Sequence, residues 1–475
     1  MSKWIEKEKK ALELINIAGK LWLDRNVELV IFRRNIVDAR YTEVLNNKEY
    51  AKKYLNLPLC IEDFLAIATA IEQLEISNSR IDIATLNKEW IEEKSNFSSI
   101  EEFTAKKLED YIGKDKRIIE PKDVVLFGFG RIGRLAAREL IQQHGNGEQL
   151  RLKAIVTRGN SDEEIKKRSS LLRKDSVHGK FRGVITEDFE NKTLVANGNV
   201  IHMISADNPA EIDYTQYGIN DALLIDNSGI WRDAEKLSNH LKSKGISKVL
   251  LTAPGKGTLP NIVYGVNHLS YHPDDFKVWT AASCTTNAIS PIIKVISDVY
   301  GIESGHVETV HSYTNDQNLL DNYHKKYRRG RSAPMNMVIT ETGAASAITK
   351  VMPEMSGKFT GNAVRVPTPD VSLAILNLNL SKTVTSVDEI NAILKQAGSF
   401  GSLVEQIDFS TSQELVSSDC IGNPHASIVD SHATLLSPNS KSIVLYVWYD
   451  NEYGYTRQVI RLAKYIGKVQ RLTYY

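Results

Sequence analysis

The chain has 475 residues, of which 42% are hydrophobic and 25% charged, and its formal net charge at pH 7 is +1. This length exceeds what one compact core usually holds, so we expect two or three domains. The composition excludes a disordered or fibrous chain, and the balanced charge gives no indication of nucleic acid as a partner.

Targeting signals and cysteine usage predict a cytoplasmic protein. No apolar run approaches the roughly 20 residues that a membrane span needs. The first twenty residues mix acidic side chains with lysines and lack the apolar core of a signal peptide. The three cysteines, Cys60, Cys284 and Cys420, are too few for a disulfide framework, which favours a reducing compartment.

The first 120 residues predict an all-helical extension. Apolar residues recur three and four positions apart among Lys and Glu at 4–22, 61–74 and 100–112, which is the period of amphipathic helices. A polar stretch that ends at Pro121 marks the boundary. The extension carries no chemical motif, so two interpretations stay open: a helical domain packed on the chain's own body, or an arm that binds a partner or regulator.

The next domain, at 121–283, has the pattern of an α/β protein. Short β-branched runs at 124–127, 152–156, 222–225 and 248–251 are separated by glycines and helical patterns. Runs of this kind predict a Rossmann-type parallel sheet.

The last domain, at 284–455, has longer and alternating strand patterns, at 305–313, 371–380 and 442–449. They predict an α+β domain with an antiparallel sheet covered on one face. The remaining stretch, 456–475, is predicted to be a docked helix that completes the parallel-sheet domain.

The first chemical motif is Gly-Phe-Gly-Arg-Ile-Gly at 128–133, which follows a strand pattern and opens a helical one. Glycines in this spacing allow a tight turn, close approach of a pyrophosphate and close packing of helix on sheet. The helix N-terminus supplies N–H groups and a positive dipole. This segment therefore predicts a dinucleotide site.

The end of the second strand would contact the adenosine ribose of that dinucleotide. An acidic residue there accepts from the ribose 2′-hydroxyl and repels a 2′-phosphate, but this chain has Thr157 and Arg158. Because a hydroxyl and a guanidinium bind phosphate, we expect NADP to be accepted beside NAD. The alternative is that Arg158 is a solvated loop residue.

Cys284 stands in a polar Ser-Cys-Thr-Thr-Asn segment just before apolar residues at helical spacing. This pattern places its sulfur at a helix N-terminus, where we expect a lowered thiol pKa and a nucleophilic thiolate. Cys60 and Cys420 lack this setting and are predicted to be structural. A thiolate needs an imidazole as base, and His311, at the end of an alternating strand, is the candidate.

Candidate phosphate ligands lie farther along the chain. Arg331, Arg365 and the pair Thr342 and Gly343 offer guanidinium, hydroxyl and backbone groups that commonly bind phosphate oxygens. Dispersed arginines are also common as plain surface charges, so these residues alone leave the site open.

Six motifs, in this order, resemble the phosphorylating glyceraldehyde-3-phosphate dehydrogenase family. They are Gly-Phe-Gly-Arg-Ile-Gly-Arg from 128, Asp-Ser-Val-His-Gly-Lys-Phe from 175, Ala-Ser-Cys-Thr-Thr-Asn from 282, His-Ser-Tyr-Thr-Asn-Asp-Gln from 311, Arg-Val-Pro-Thr-Pro-Asp-Val-Ser from 365 and Trp-Tyr-Asp-Asn-Glu-Tyr-Gly-Tyr from 448. The resemblance covers about 122–470 and leaves the extension outside it.

The resemblance implies roles for individual residues. Cys284 matches the catalytic nucleophile and His311 the base that activates it. The residues that match the two phosphate sites are Thr314, Asp316 and Arg365 for the substrate's C3 phosphate, and Ser283, Thr285, Arg331, Thr342 and Gly343 for inorganic phosphate. The residues expected at the cofactor are Phe129, Gly130, Arg131, Ile132, Thr157, Arg158, Ser228, Gly229 and Asn451, and no metal is implied.

The loop at 313–336 resembles the one that family members pass to a neighbouring subunit's cofactor site, so a homotetramer is implied. Two departures lie near the adenosine in the family: Thr157 replaces the usual acid and Tyr323 the usual proline. Strict preference for NAD is therefore not implied. Ala288 stands where a second cysteine is often found on the catalytic helix.

The implied reaction oxidises D-glyceraldehyde 3-phosphate to 1,3-bisphosphoglycerate through a cysteine thioester, with hydride transfer to NAD or NADP. Three alternatives stay open: an erythrose-4-phosphate dehydrogenase that releases an acid, gluconeogenic use with NADPH, and a non-enzymatic scaffold or nucleic-acid-binding form. Dependence of the rate on inorganic phosphate separates the first alternative from the implied reaction.

Overall fold

The computed structural model describes residues 2–113, 116–206 and 208–475. The chain forms two compact units, a smaller one from 1–121, 143–150 and 468–475 and a larger one from 122–142 and 151–467. The helices are α1 (Ser2–Arg25), α2 (Tyr41–Leu55), α3 (Ile61–Gln73), α4 (Ile83–Glu93), α5 (Ile100–Lys107), α6 (Arg131–Gln142), α7 (Asp162–Arg173), α8 (Ala234–Leu237), α9 (Cys284–Tyr300), α10 (Ala344–Val351), α11 (Val387–Ser399) and α12 (Tyr453–Ile466).

The strands of the smaller unit are short, whereas those of the larger unit reach eleven residues. In chain order the strands are β1 (Glu28–Ile31), β2 (Arg34–Asn35), β3 (Ser79–Asp82), β4 (Lys122–Phe127), β5 (Leu150–Thr157), β6 (Lys174–Asp175), β7 (Gly179–Lys180), β8 (Ile185–Asp188), β9 (Thr193–Ala196), β10 (Asn199–Ser205), β11 (Ala222–Asp226), β12 (Ile246–Leu251), β13 (Val278–Thr280), β14 (Ile302–Ser312), β15 (Val338–Thr340), β16 (Phe359–Val366), β17 (Ser372–Leu380), β18 (Ile407–Ser410), β19 (Ser427–Asp430), β20 (Leu435–Leu436), β21 (Ser442–Tyr449) and β22 (Leu472–Tyr474).

The smaller unit contains the predicted helices. α1 buries Leu14, Ile17 and Leu21, three and four residues apart, as an amphipathic helix does. α3 buries Phe64 and Ile67 in the same way. Ser99 caps α5 by accepting a hydrogen bond from the backbone N–H of Glu102. The helical predictions for 4–22, 61–74 and 100–112 are confirmed, although α5 itself ends at Lys107.

The smaller unit is not all-helical, which corrects one expectation. It also contains a four-stranded sheet in the order β2-β1-β3-β22, with β3 parallel to both β1 and β22. Strands of two to four residues are too short to show an alternating pattern in the sequence. The last of them comes from the other end of the chain. The predicted helix at 456–475 accordingly ends at Ile466, and 468–475 belong to this unit.

The larger unit contains the predicted parallel sheet. Its strand order is β13-β12-β11-β4-β5-β10-β9-β8, and the pairings of β11 with β4 and with β12 are parallel. The chain moves outward from β4 in both directions, first to β5 and later to β11. In doubly wound sheets a ligand binds at the carboxyl ends of the two strands that flank such a switch point, here β4 and β11.

The second large sheet is mixed, which corrects the expectation of an antiparallel one. Its order is β15-β16-β14-β17-β21-β19-β18, with β14 parallel to β16 and β18 parallel to β19. The chain returns from β14 through β15 and α10 before it enters β16, so the two strands run in the same direction. Their register places His311 directly beside Arg365.

The boundary predicted at 283/284 lies inside the larger unit and stays a prediction. In the part of the chain that the structure describes, no helix is both long and apolar enough to cross a lipid bilayer.

Candidate active site

The turn after β4 requires glycine at two positions. Gly128 has φ +94°, and a Cβ there would lie 3.1 Å from the backbone nitrogen of Ser228. A Cβ on Gly133 would lie 2.3 Å from the carbonyl oxygen of Gly128, so α6 packs against the turn too closely for a side chain. Beside Gly130 there is open space at the N-terminus of α6. This cradle fits the pyrophosphate of a dinucleotide.

A cavity of about 560 Å³ extends from this turn to Cys284. Arg131, Ile132 and Asn451 line it, together with Cys284 and His311. Three of the predicted cofactor residues therefore lie in one space with the candidate nucleophile and base.

Three further residues of the predicted cofactor set lie in or beside the glycine turn. Phe129 is buried, with 7% of its surface exposed. Ser228 is held by Asp226, which accepts hydrogen bonds from its backbone N–H at 2.8 Å and from its hydroxyl at 2.6 Å. Gly229, with φ +64°, continues this turn.

Asn451 has a defined orientation. Its Oδ1 accepts hydrogen bonds from the hydroxyls of Ser312 at 2.9 Å and Ser372 at 2.8 Å. The Nδ2 group is therefore the amide atom that Asn451 offers to a ligand in the cavity, which suits a carboxamide oxygen such as that of nicotinamide.

The end of β5 differs from the expectation in one respect. The Thr157 hydroxyl donates to the carbonyl oxygen of Gly159 at 2.8 Å, so in this structure its proton is engaged within the chain. Arg158 is exposed. Of the two residues predicted to bind a phosphate here, the structure leaves the guanidinium of Arg158.

The predicted start of the catalytic helix is confirmed. Ser283 caps α9 by accepting from the backbone N–H of Thr286 at 3.0 Å, and Cys284 is the first residue of the helix. The sulfur lies 3.7 Å from Nε2 of His311, which comes from the end of β14. A nucleophile and a base thus meet from two elements.

His311 is held as a neutral base. Its Nδ1 lies 2.8 Å from the carbonyl oxygen of Ser312 and 3.1 Å from Nη1 of Arg365. Because Arg365 Nη1 also lies 2.9 Å from that carbonyl oxygen and can donate there, we assign the proton to Nδ1 and the lone pair facing the sulfur to Nε2. Burial and the nearby Arg365 lower the pKa of His311 to about 3. The imidazole is therefore uncharged at neutral pH.

The resting state of Cys284 differs from the expectation. Burial raises the pKa of its thiol above the ordinary value, and the positive charge of Arg365 acts in the opposite direction. The expected lowering by the helix N-terminus alone is corrected, because burial disfavours the thiolate more strongly. Burial therefore favours the neutral thiol in the empty site, and His311 is the group placed to accept its proton.

A second cavity of about 400 Å³ lies on the other side of the sulfur. It shares Ser283, Cys284 and His311 with the first cavity. The residues of the predicted phosphate sites that line it are Ser283, Thr285, Thr342, Gly343 and Arg365. Gly343 caps α10, whose N-terminus thus opens into the cavity. Thr314, of the same predicted set, lines the first cavity instead.

Known proteins match both halves of this site. Residues 122–234 match the NAD binding domain of glyceraldehyde 3-phosphate dehydrogenase, and residues 283–451 match its C-terminal domain. The chain belongs to the glyceraldehyde-3-phosphate dehydrogenase family. It is accordingly an oxidoreductase that uses NAD or NADP.

Individual relatives match different shares of the chain. A glyceraldehyde-3-phosphate dehydrogenase-like protein of Pseudomonas aeruginosa (strain UCBPP-PA14) is 52% identical over 95% of this chain and 97% of its own. The glyceraldehyde-3-phosphate dehydrogenase of Zymomonas mobilis is 38% identical over 73% of this chain and 98% of its own. Glyceraldehyde-3-phosphate dehydrogenase 1 of Bacillus subtilis is 39% identical over 72% and 97%. The first relative therefore shares most of the extension.

One arginine assigned from the family resemblance lies elsewhere. Arg331 is exposed, and its Nε lies 2.9 Å from the carboxylate of Asp321. Arg329, two residues earlier, lines the second cavity, pairs with Asp316 and donates to the hydroxyl of Thr340 at 3.0 Å. Arg329 and not Arg331 therefore lines the second cavity, and its pairing places Asp316 at the edge of that cavity.

Sequence reasoning could not separate the two arginines by residue type. They stand in one Tyr-Arg-Arg-Gly-Arg run, and a short 3₁₀ helix at Tyr327–Gly330 sets which side chain faces inward. Three further cationic residues in the cavity walls were also missed: Arg232, Lys326 and Lys350.

Proposed function

We propose that the protein is a phosphorylating glyceraldehyde-3-phosphate dehydrogenase that oxidises D-glyceraldehyde 3-phosphate to 1,3-bisphosphoglycerate, with NAD or NADP as hydride acceptor. The observation that carries this proposal is the meeting of two cavities at one thiol. One begins at a dinucleotide turn and the other is lined by cations, so a hydride acceptor and phosphate groups reach the same sulfur.

The first half of the reaction forms a thioester. The Sγ atom of Cys284 bonds to the aldehyde carbon, and His311 Nε2 takes the thiol proton and delivers it to the aldehyde oxygen, giving a hemithioacetal. When bound, the nicotinamide accepts the hydride that leaves this carbon. His311 removes the hydroxyl proton as the thioester forms. The neutral imidazole found here is the form that this role requires.

The second half transfers the acyl group. Inorganic phosphate attacks the thioester carbon, the carbon–sulfur bond breaks, and His311 returns the proton to the Cys284 sulfur. Arg329, the Thr342 hydroxyl and the N-terminus of α10 are placed to hold this phosphate. The product is an acyl phosphate.

Arg365 and Thr314 are the proposed ligands of the substrate's own C3 phosphate. Arg365 lies beside His311 across the parallel strands β14 and β16 and donates to the carbonyl oxygen of Ser312 at 2.9 Å. An arginine fixed in this way presents its remaining N–H groups to an anion close to the sulfur.

We also infer that the cofactor site accepts NADP. The exposed Arg158 at the end of β5 offers a cation where a ribose phosphate would lie, and no acidic residue stands at 157.

A cytoplasmic homotetramer is the proposed assembly. The segment 313–339 carries many large apolar side chains in contact with solvent: Leu319, Leu320, Tyr323, Tyr327, Met335, Met337 and Ile339. Patches of this size on one chain are typical of subunit interfaces.

Absorbance at 340 nm tests the function directly. Glyceraldehyde 3-phosphate is supplied with NAD or NADP, in the presence and absence of inorganic phosphate. The proposal expects sustained reduction only with phosphate, and erythrose 4-phosphate serves as the matched second aldehyde. Equal rates with and without phosphate, or a clear preference for erythrose 4-phosphate, would contradict it.

A further inference from the structure

Arg232 is the one arginine that lines both cavities among the residues that the structure describes. It shares this position with Pro254, Ser283, Cys284 and His311. No motif in the sequence marks it, and the resemblance gives it no role. It nonetheless belongs to both cavity walls that Cys284 also lines.

The backbone of Arg232 is fixed on both sides. It lies between β11 and α8, just after the turn at Ser228 and Gly229, and its carbonyl oxygen accepts from the backbone N–H of Lys256 at 2.7 Å. The side chain is less engaged. Its Nε donates a long hydrogen bond to the carbonyl oxygen of Gly229, at 3.3 Å.

The other two arginines of the second cavity have stronger partners. Arg329 pairs with the carboxylate of Asp316 and with Thr340, and Arg365 donates to the carbonyl oxygen of Ser312. Within the described residues, Arg232 forms no ion pair. Arg232 is exposed and has no carboxylate partner among the described residues, so its guanidinium is available to an anionic ligand in the cavity.

The charge of the second cavity supports an anion of high charge. One carboxylate, that of Glu341, lines it among the described residues, against five cationic side chains: Arg232, Lys326, Arg329, Lys350 and Arg365. Two phosphate groups, one on the substrate and one free, together carry a comparable negative charge. The cavity therefore has enough cations to hold both at once.

The position of Arg232 indicates which of those two phosphate groups it binds. The attacking phosphate must bond to the carbon that is joined to the Cys284 sulfur, so it lies beside that sulfur. The C3 phosphate is two carbons away from the reacting one. Because Arg232 and Cys284 share both cavity walls, Arg232 is placed for the attacking group.

We propose that Arg232 binds the inorganic phosphate that attacks the thioester. This inference rests on the proposed function, and it adds to Arg329, Thr342 and α10 a ligand from the parallel-sheet side of the site. Arg232 also lines the first cavity, where the proposed hydride transfer takes place. It is therefore placed to bind the attacking phosphate beside the thioester that this transfer leaves.

Thermal unfolding of the full chain during titration with inorganic phosphate tests the binding. Charge-assisted hydrogen bonds contribute strongly, so Arg232→Gln should raise the half-saturating phosphate concentration about tenfold. Arg232→Lys should restore part of the affinity. Lys236→Gln removes an exposed charge four residues away and should leave the titration unchanged.

Equal half-saturating concentrations in the wild type and Arg232→Gln would overturn the inference, as would the absence of any phosphate-dependent shift in the wild type. In steady-state assays, Arg232→Gln should raise the KM for phosphate and leave the KM for glyceraldehyde 3-phosphate within about twofold. A rise confined to the aldehyde substrate would assign Arg232 to the C3 phosphate and overturn the inference.

Different results would contradict the proposed function and the phosphate-binding role of Arg232. A wild type that binds phosphate through Arg232 but reduces NAD or NADP at the same rate without phosphate would contradict the proposed function and retain the binding site. Phosphate-dependent turnover with an unchanged Arg232→Gln variant would do the reverse.

Discussion

The two cavities that meet at Cys284 are built in opposite ways. The cofactor cavity begins at a glycine turn at the end of one strand, and Glu452 is the acid that lines it among the described residues. The anion cavity is instead lined by five cationic side chains that come from separate segments of the chain. A local motif therefore marks the start of the first cavity, whereas no local motif marks the cations of the second, and the walls of both depend on the tertiary fold.

Replacement of the Cys284 sulfur, which both cavities share, should abolish both hydride transfer and acyl transfer to phosphate. Cys284→Ser is expected to lower the rate of NAD reduction on the order of a thousandfold or more, because a hydroxyl beside a neutral imidazole is a far weaker nucleophile than the thiol. The matched control is Cys60→Ser in the smaller unit, where Cys60 caps α3 by accepting from the backbone N–H of Asp63. Full activity in Cys284→Ser would refute the assignment of the nucleophile.

The arginine pair tests the anion cavity alone. Arg329→Gln should raise the KM for inorganic phosphate about tenfold, because it removes a guanidinium that lines the cavity. Arg331→Gln, which removes an exposed guanidinium paired with Asp321, should change it by less than twofold. Steady-state kinetics at varied phosphate compares the two variants. The reverse ranking would restore the assignment that the resemblance implied.

Arg158 tests the far end of the cofactor cavity. Arg158→Gln should raise the KM for NADP severalfold and leave the KM for NAD nearly constant, since the guanidinium is exposed and solvent weakens its pairing with a phosphate. Initial rates with each cofactor measure the ratio. An equal change for both cofactors would mean that Arg158 supports the loop and does not recognise the 2′-phosphate.

The smallest effect concerns stability and the acids behind the cofactor cavity. Burial, with the nearby negative charges of Asp450 and Glu452, raises the pKa of Asp370 well above its ordinary value. In the unfolded chain the same carboxyl ionises near pH 4. From about pH 4 up to its raised pKa the folded protein thus binds the extra proton, and its stability falls as pH rises through that window.

Asp370→Asn should remove this dependence. The variant's midpoint of thermal unfolding relative to the wild type is expected to be higher at pH 8 than at pH 5, because the amide carries no proton to lose. Unfolding curves at the two pH values measure the difference. A variant with the same pH response as the wild type would show that Asp370 is ionised in the folded protein.

The contrast also explains which features the sequence could predict. The glycine turn and the start of α9 at Cys284 are local, since each depends on a few consecutive residues, and the structure confirms both. Arg329 could not be told from Arg331, because a single turn of 3₁₀ helix decides which one faces the cavity. Arg232 has no motif, and it belongs to the site because both cavities extend from Cys284 to the segment after β11.

The secondary structure shows the same difference between features that local sequence predicts and features that depend on long-range pairing. Long amphipathic helices such as α1 and alternating strands such as β21 were predicted, because their periodicity extends over many residues. Strands β1 to β3 have at most four residues, and β22 joins them from the opposite end of the chain. The parallel pairing of β14 with β16 depends on a long crossover that no local pattern records.

The most direct test of the central claim is a rapid-mixing experiment without inorganic phosphate. With glyceraldehyde 3-phosphate and saturating NAD, the account predicts a burst of up to one reduced nicotinamide per chain, followed by a halt while the thioester remains on Cys284. Addition of phosphate should then start steady turnover. Sustained turnover before phosphate is added, or no burst at all, would contradict a thioester shared by the two cavities.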